Sequence, residues 1–254
     1  MEKIINKRLI AEIEYKNLNN PSQHGFRKEH GTDTAIIYEN IAAAKSRDLK
    51  TNIILRDISK AFDKVWHAGL LHKLIVNNFP PSITRILSSY LHNRSAQIRI
   101  ENYTGPAFKL ECGVPQGACL SPSLFGFYTH DIPKPTSFFN ENIIYADDIT
   151  QIVNYKSENI LNKTTEKEIK NINEYEKIWK IQTNMKKFQI IPVGGKRKNK
   201  IKIDNREIDY SQEGKTLGTI INQSGFLSHA ISRISIAKTT IPQTLLPYRP
   251  LPSK

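Results

Sequence analysis

The stretch NIIYADDITQIV, residues 142–153, decides how this chain is read. Two short apolar runs, Asn142–Ala146 and Ile149–Val153, flank Asp147 and Asp148 and read as the arms of a β-hairpin. That context puts two adjacent carboxylates at an exposed turn. Like charges repel, and an unpaired pair is costly to bury. A divalent cation relieves that repulsion. A solvated acidic turn is the alternative that Tyr145-Ala146-Asp147-Asp148 by itself leaves open.

Working outward, the 254 residues suffice for one large domain or two small ones, and a hydrophobic content of 39% can build a core. Charged residues make up 24%, and no run approaches the roughly 20 apolar residues of a membrane span, so a soluble protein is expected. The start, MEKIINKRLI, has no secretory h-region. Cys112 and Cys119 make neither a disulfide framework nor a metal pattern; two reduced thiols in an intracellular protein are expected. The net charge of +13 is uneven. Residues 1–155 hold 18 Lys and Arg against 15 acids, and residues 156–254 hold 19 against 9. A basic half beside an acidic site suggests a polyanionic partner, with a solvated basic surface as the plainer alternative.

In chain order, residues 4–18 read as a helix with Ile5, Leu9, Ile13 and Tyr15 near one face, and a second helix runs from Thr32 or Asp33 to about Lys50. NIILR, residues 52–56, is a short β-type run with Asp57 directly after it. A helix is expected from Ser59 through Leu74, which makes Asp57 either an active-site acid at a strand end or a helix cap; Asp63 falls on the solvated face. Further helices are expected over Ile83–Leu91, from Leu120-Ser121-Pro122, and over Ser157–Ile181, the last with Leu161, Ile169, Ile172, Tyr175 and Trp179 on one side. Strands are expected at Ala96–Ile100, Ala107–Glu111 and Thr216–Ile221. Gly113-Val114-Pro115-Gln116-Gly117 is a tight loop whose glycines allow close approach to a ligand.

Asp57, Asp147 and Asp148 would meet if their strands paired in one sheet. Such a cluster suits two Mg²⁺ ions, with Mn²⁺ as a substitute, about 3.5–4 Å apart as in phosphoryl transfer.

At these residues the chain resembles the reverse transcriptase domain of jockey-like non-LTR retrotransposons. Six blocks match in order: QHGFRKEHGT, LRDISKAFDKVWHAGLLHKL, GVPQGACLSP, YADD, WKIQTNMKKFQIIPV and KTLGTII. The resemblance implies an α+β right-hand polymerase fold with an antiparallel palm sheet backed by helices. It divides the domain, residues 1–240, into partial fingers (1–51), palm core (52–155) and the remaining palm with the primer grip (156–221). Residues 222–254 would begin a thumb. It implies catalytic roles for Asp57, Asp147, Asp148 and Lys187, the lysine being matched to a proton donor for pyrophosphate. It implies metal binding by Asp57, Ile58, Asp147 and Asp148. Phe62 would pack under the nucleotide sugar and reject a ribose 2′-hydroxyl, Pro115, Gln116 and Gly117 would face the template base and incoming nucleotide, and Arg27 would be a fingers arginine. The implied partners are an RNA template, a DNA primer and deoxynucleoside triphosphates, and the implied location is the nucleus or cytoplasm.

Four departures qualify the match. Arg56 stands where the family has an apolar residue, Phe188 where it has Ser or Thr, and Pro192 interrupts an expected strand. The matched blocks start inside the fingers and stop at the first turn of the thumb, which implies a domain truncated at both ends. The alternative reading is therefore an inactive relic of a retroelement that binds nucleic acid without specificity.

Overall fold

Lys50–Asp57 form one strand because Ile53 and Leu55 point to one side of the pleat and Ile54 to the other, and both sides are covered. The structure is a computed structural model and describes residues 1–25, 34–195, 197, 200–203 and 206–225, the side chains of 34–36 excepted. In order, it contains α1 (Glu2–Tyr15), α2 (Thr34–Ser46), β1 (Lys50–Asp57), a 3₁₀ turn (Phe62–Lys64), α3 (His67–Val76) and α4 (Pro81–Leu91). Four two-residue strands follow, β2 (Ser95–Ala96), β3 (Arg99–Ile100), β4 (Tyr103–Thr104) and β5 (Phe108–Lys109), then α5 (Ser121–Tyr128). The rest comprises β6 (Glu141–Tyr145), β7 (Asp148–Tyr155), α6 (Glu158–Trp179), β8 (Gln189–Val193), β9 (Ile201–Ile203), β10 (Arg206–Ile208), β11 (Glu213–Thr216) and β12 (Thr219–Asn222).

The central sheet has the order β6-β7-β1-β8 and is antiparallel throughout. On one face Ile53, Leu55, Ile143 and Ile152 pack with Ile37 of α2. On the other, Ile54 and Val153 pack with Leu161 and Ile169 of α6. A larger core gathers α1, α3, α4 and α5 at the end of the sheet where β1 and β6 finish, with Leu70, Leu87, Leu124, Phe125 and Tyr128 buried. This is the α+β, helix-backed antiparallel sheet that the sequence implies.

Several expectations need correction. The helix expected from Ser59 begins at His67, because residues 59–66 first make a turn and the 3₁₀ segment. Asp57 is therefore remote from a helix N-terminus and caps none. Tyr15 is exposed, so the buried stripe of α1 reduces to Leu9 and Ile13. The strands expected at 96–100 and 107–111 are two short ladders, β2 with β5 and β3 with β4. TLGTII is a hairpin rather than one strand: Leu217 and Gly218 have φ of 48° and 77°, the geometry of a tight turn between β11 and β12. Pro192 does not interrupt β8, which is the last strand of the sheet and needs a ladder on only one side. Arg27 lies outside the described residues, as does nearly all of 222–254. Among the described residues no helix is long and apolar enough to cross a membrane, and both cysteines are free.

Arg56 does carry its charge into the core, at 3% exposure. It donates to Gln151 (3.1 Å), Asn173 (3.0 Å), Glu176 (3.2 Å), Thr183 (3.1 Å) and the Ile169 carbonyl (3.0 Å). Its guanidinium also lies 5.2 Å from the centre of the Phe188 ring. Two of the departures from the family pattern thus touch each other.

Candidate active site

The β6–β7 hairpin closes on Tyr145 opposite Asp148, leaving Ala146 and Asp147 as the turn. Ala146 has φ of 58°, a left-handed conformation that costs an L-residue roughly 1–2 kcal/mol. The β1–β7 register sets Asp57 opposite Asp148, and the Ile58 N–H donates to the Asp147 carbonyl at 3.0 Å. Main-chain pairing alone therefore brings all three acids to one end of the sheet. The expected convergence of two strands separated by some 90 residues is realised through this register.

The acids feel one another. Burial pushes the Asp147 carboxyl above its ordinary value, its own N–H counteracts this, and Asp57 adds to the rise. Burial raises Asp148 as well, followed by repulsion from Asp147 and Asp57. Lys187 opposes both shifts. Its ammonium lies 2.8 Å from Asp57 Oδ1, and that hydrogen bond raises its own pKa. Lys187 is carried on the turn after Asn184, whose N–H donates to the Asp57 carbonyl at 2.7 Å. Asn184, unremarked in the sequence, thus ties the lysine-bearing turn to the end of β1.

These groups border a cleft of about 740 Å³. Asp57, Ile58, Asp147 and Lys187 line it together with Phe62, Gln116 and Gly117. Asp148 and Pro115 are not among its walls. Phe62 stacks at a tilt on Phe125, 5.3 Å between centroids, so it is both a cleft wall and a core contact. The loop carrying Gln116 is pinned by Gly113 N–H to Val65 (2.8 Å) and Val114 N–H to Phe62 (2.8 Å). Its Gly113 has φ of 89°, and a Cβ there would come within 3.0 Å of the Asp63 backbone. Gln116 donates to Asp63 at 3.1 Å, so Asp63, exposed as expected, also holds the loop's glutamine. The Ser121 hydroxyl donates to the Pro115 carbonyl at 2.6 Å.

The donor set suits a hard divalent cation: three carboxylates whose mutual repulsion a cation would relieve, with no soft ligand in the cleft wall among the described residues. The Ile58 side chain is hydrocarbon and offers no ligating atom, so its contribution would be its main-chain carbonyl. Among the described residues no three His, Cys, Asp or Glu side chains are drawn together as a ready-made metal cluster. Asp57 is instead paired with Lys187, which would have to swing aside.

Residues 1–221 match the family model described as reverse transcriptase (RNA-dependent DNA polymerase). The chain belongs to the reverse transcriptase family. It is 27% identical over 253 residues to the RNA-directed DNA polymerase from mobile element jockey of Drosophila melanogaster, covering 94% of this chain and 27% of that protein. It is 33% identical over 161 residues to a probable RNA-directed DNA polymerase from transposon X-element of the same species, covering 61% of this chain and 17% of that protein. The chain thus spans about a quarter or less of the length of these relatives. Among solved structures, apo telomerase from Candida tropicalis, truncated from its C-terminal domain, superposes with a TM-score of 0.60 at 15% identity, over 88% of this chain and 44% of that one. At that identity the likeness concerns the fold, which is the polymerase palm. The resemblance to jockey-like non-LTR elements is borne out.

Proposed function

We propose that this reverse transcriptase chain is an RNA-directed DNA polymerase domain that adds deoxynucleotides to a primer 3′-hydroxyl on an RNA template. The supporting observation is the register that sets Asp57 against Asp148, with Asp147 in the adjoining β6–β7 turn, at the head of a cleft walled by Phe62, Gln116 and Lys187. Held by Asp57, Asp147, Asp148 and the Ile58 carbonyl, two Mg²⁺ or Mn²⁺ ions would lower the pKa of the 3′-hydroxyl and neutralise charge on the triphosphate.

The chain's own residues do the rest mainly by positioning and electrostatics. Phe62, a cleft wall backed by Phe125, packs under the nucleotide sugar and disfavours a 2′-hydroxyl. Gln116, steadied by Asp63, faces the nascent base pair with Pro115 and Gly117 shaping its loop. Lys187, released from Asp57 when a cation takes its place, keeps a proton at neutral pH by its ordinary value of 10.5 and can deliver it to the departing pyrophosphate. Phosphate contacts and duplex shape carry template–primer binding. The fingers and palm divisions given above apply to this reading, and its setting is the nucleus or cytoplasm.

Primer extension on poly(rA)/oligo(dT) with Mg²⁺ or Mn²⁺ tests it. The chain extends the primer and Asp147→Ala lowers extension by a factor of at least about 10² to 10³, the loss expected when one preorganised electrostatic group is removed. Absence of extension by both, with duplex binding retained, returns the chain to the inactive-relic reading.

A further inference from the structure

The turn that carries Asp147 is held from outside the sheet. Gln23 lies 123 residues before Ala146 and is buried, at 7% exposure. Its Oε1 accepts from the Ala146 N–H at 3.0 Å, and its Nε2 donates to the Ala146 carbonyl at 3.4 Å. The same Oε1 accepts from the Gly25 N–H at 2.9 Å. The main chain beside it runs parallel to the outer edge of β6. The Ile144 N–H donates to the Ser22 carbonyl and the His24 N–H to the Ile144 carbonyl, both at 2.7 Å. Close approach is possible because residue 25 is glycine: a Cβ there would lie 2.4 Å from the Ala146 nitrogen.

Residues of a two-residue hairpin turn ordinarily direct their free main-chain groups to water. Here one amide engages both groups of Ala146, and Ala146 is the residue in the left-handed conformation. Its N–H belongs to the peptide plane entering it and its carbonyl to the plane leading into Asp147. Fixing both planes fixes the direction in which the Asp147 side chain leaves the turn. The task needs a donor and an acceptor on one side chain at this reach. Glutamate has no donor, and asparagine is one methylene short.

We propose that Gln23 is a positioning residue for the acidic centre: its amide locks Ala146 in the left-handed turn and so aims Asp147 at the cation. The inference rests on the two-metal reading of that centre. Gly25 is the companion residue that lets the strap lie flat against the turn.

The test is Mn²⁺ binding by the whole chain, followed by the electron paramagnetic resonance signal of free Mn²⁺. Gln23→Met keeps the volume and removes the amide. It should weaken Mn²⁺ binding about 10–100-fold, the range for a group that orients a ligand without touching the metal. Gly25→Ala, which pushes the strap off the turn and leaves the amide in place, should act in the same direction. Ile83→Ala, in α4 and outside the hydrogen bonds between the strap and the turn, lowers stability and should leave Mn²⁺ affinity at the wild-type value. In primer extension Gln23→Met should lower kcat while leaving KM for the nucleotide nearly unchanged. Wild-type Mn²⁺ affinity in a folded Gln23→Met or Gly25→Ala chain overturns the proposal. So does failure of both variants to fold, since the strap would then be a requirement of the fold. A wild-type chain that binds Mn²⁺ no better than Asp147→Ala defeats the two-metal reading instead.

Discussion

Arg56 is the side chain whose replacement should be felt most on β1. Burial lowers its pKa to about 10, against the attraction of Glu176, so it is charged at neutral pH. Glu176 also accepts from the Thr183 N–H at 3.1 Å and from the Thr183 hydroxyl. Arg56→Met leaves that nearly buried carboxylate without its cation and should destabilise the chain by about 3–5 kcal/mol, measured by urea unfolding. Arg56→Met with Glu176→Gln should recover part of that loss; a double variant no better than the single one would mean the pair is not the source. A charge in a strand of apolar residues is visible in the sequence at Arg56. Its partners are not, because they lie 95–127 residues away and come within reach only through packing.

At the scale of elements, Lys73 joins three helices. From α3 it donates to the Tyr128 carbonyl at the end of α5, to Asp131, and to the Tyr175 hydroxyl of α6, the last at 3.0 Å. Its ammonium is 3.7 Å from the centre of the Trp179 ring. Burial pulls its pKa down to about 8, with Asp131 opposing. Between about pH 8 and its ordinary value of 10.5, the unfolded chain therefore binds more protons at this residue than the folded chain. Its contribution to stability accordingly rises with pH across that window. Lys73→Met should cost about 1–3 kcal/mol near pH 7, from the hydrogen bonds it strands. The gap to wild type should widen at pH 9.5, read from urea midpoints at the two pH values, and a gap that narrows would contradict the assignment. The apolar stripe of α6 is readable from periodicity, since Leu161, Ile169, Ile172 and Tyr175 are all buried. The late start of α3 and the turn within TLGTII are not, because each depends on loop geometry that short apolar runs do not specify.

At the scale of the molecule, a net charge of +13 beside a carboxylate-headed cleft favours the proposed polyanionic partner. Binding to an RNA·DNA duplex should weaken steeply with salt. If six or more phosphates are neutralised, affinity should fall by a factor of about 10³ between 50 and 200 mM salt, read by fluorescence anisotropy. A salt-independent affinity would remove nucleic acid from the proposed partners.

Spacing and residue type by themselves determined that Asp57, Asp147 and Asp148 stand at or beside strand ends and that the chain carries ordered blocks resembling those of a reverse transcriptase, and the resemblance in turn implied a helix-backed antiparallel sheet. Those features are local or periodic, so a linear reading captures them. Only the tertiary structure decided that Lys187 pairs with Asp57, that Asp63 holds Gln116, that Phe188 lies under Arg56, and that Gln23 straps Ala146. Each of these is a contact between segments distant along the chain, made by polar or aromatic groups that have no period. At Arg56 and Gln23 burial fixes the partners, because a desolvated donor or acceptor must find its complement wherever the fold places one.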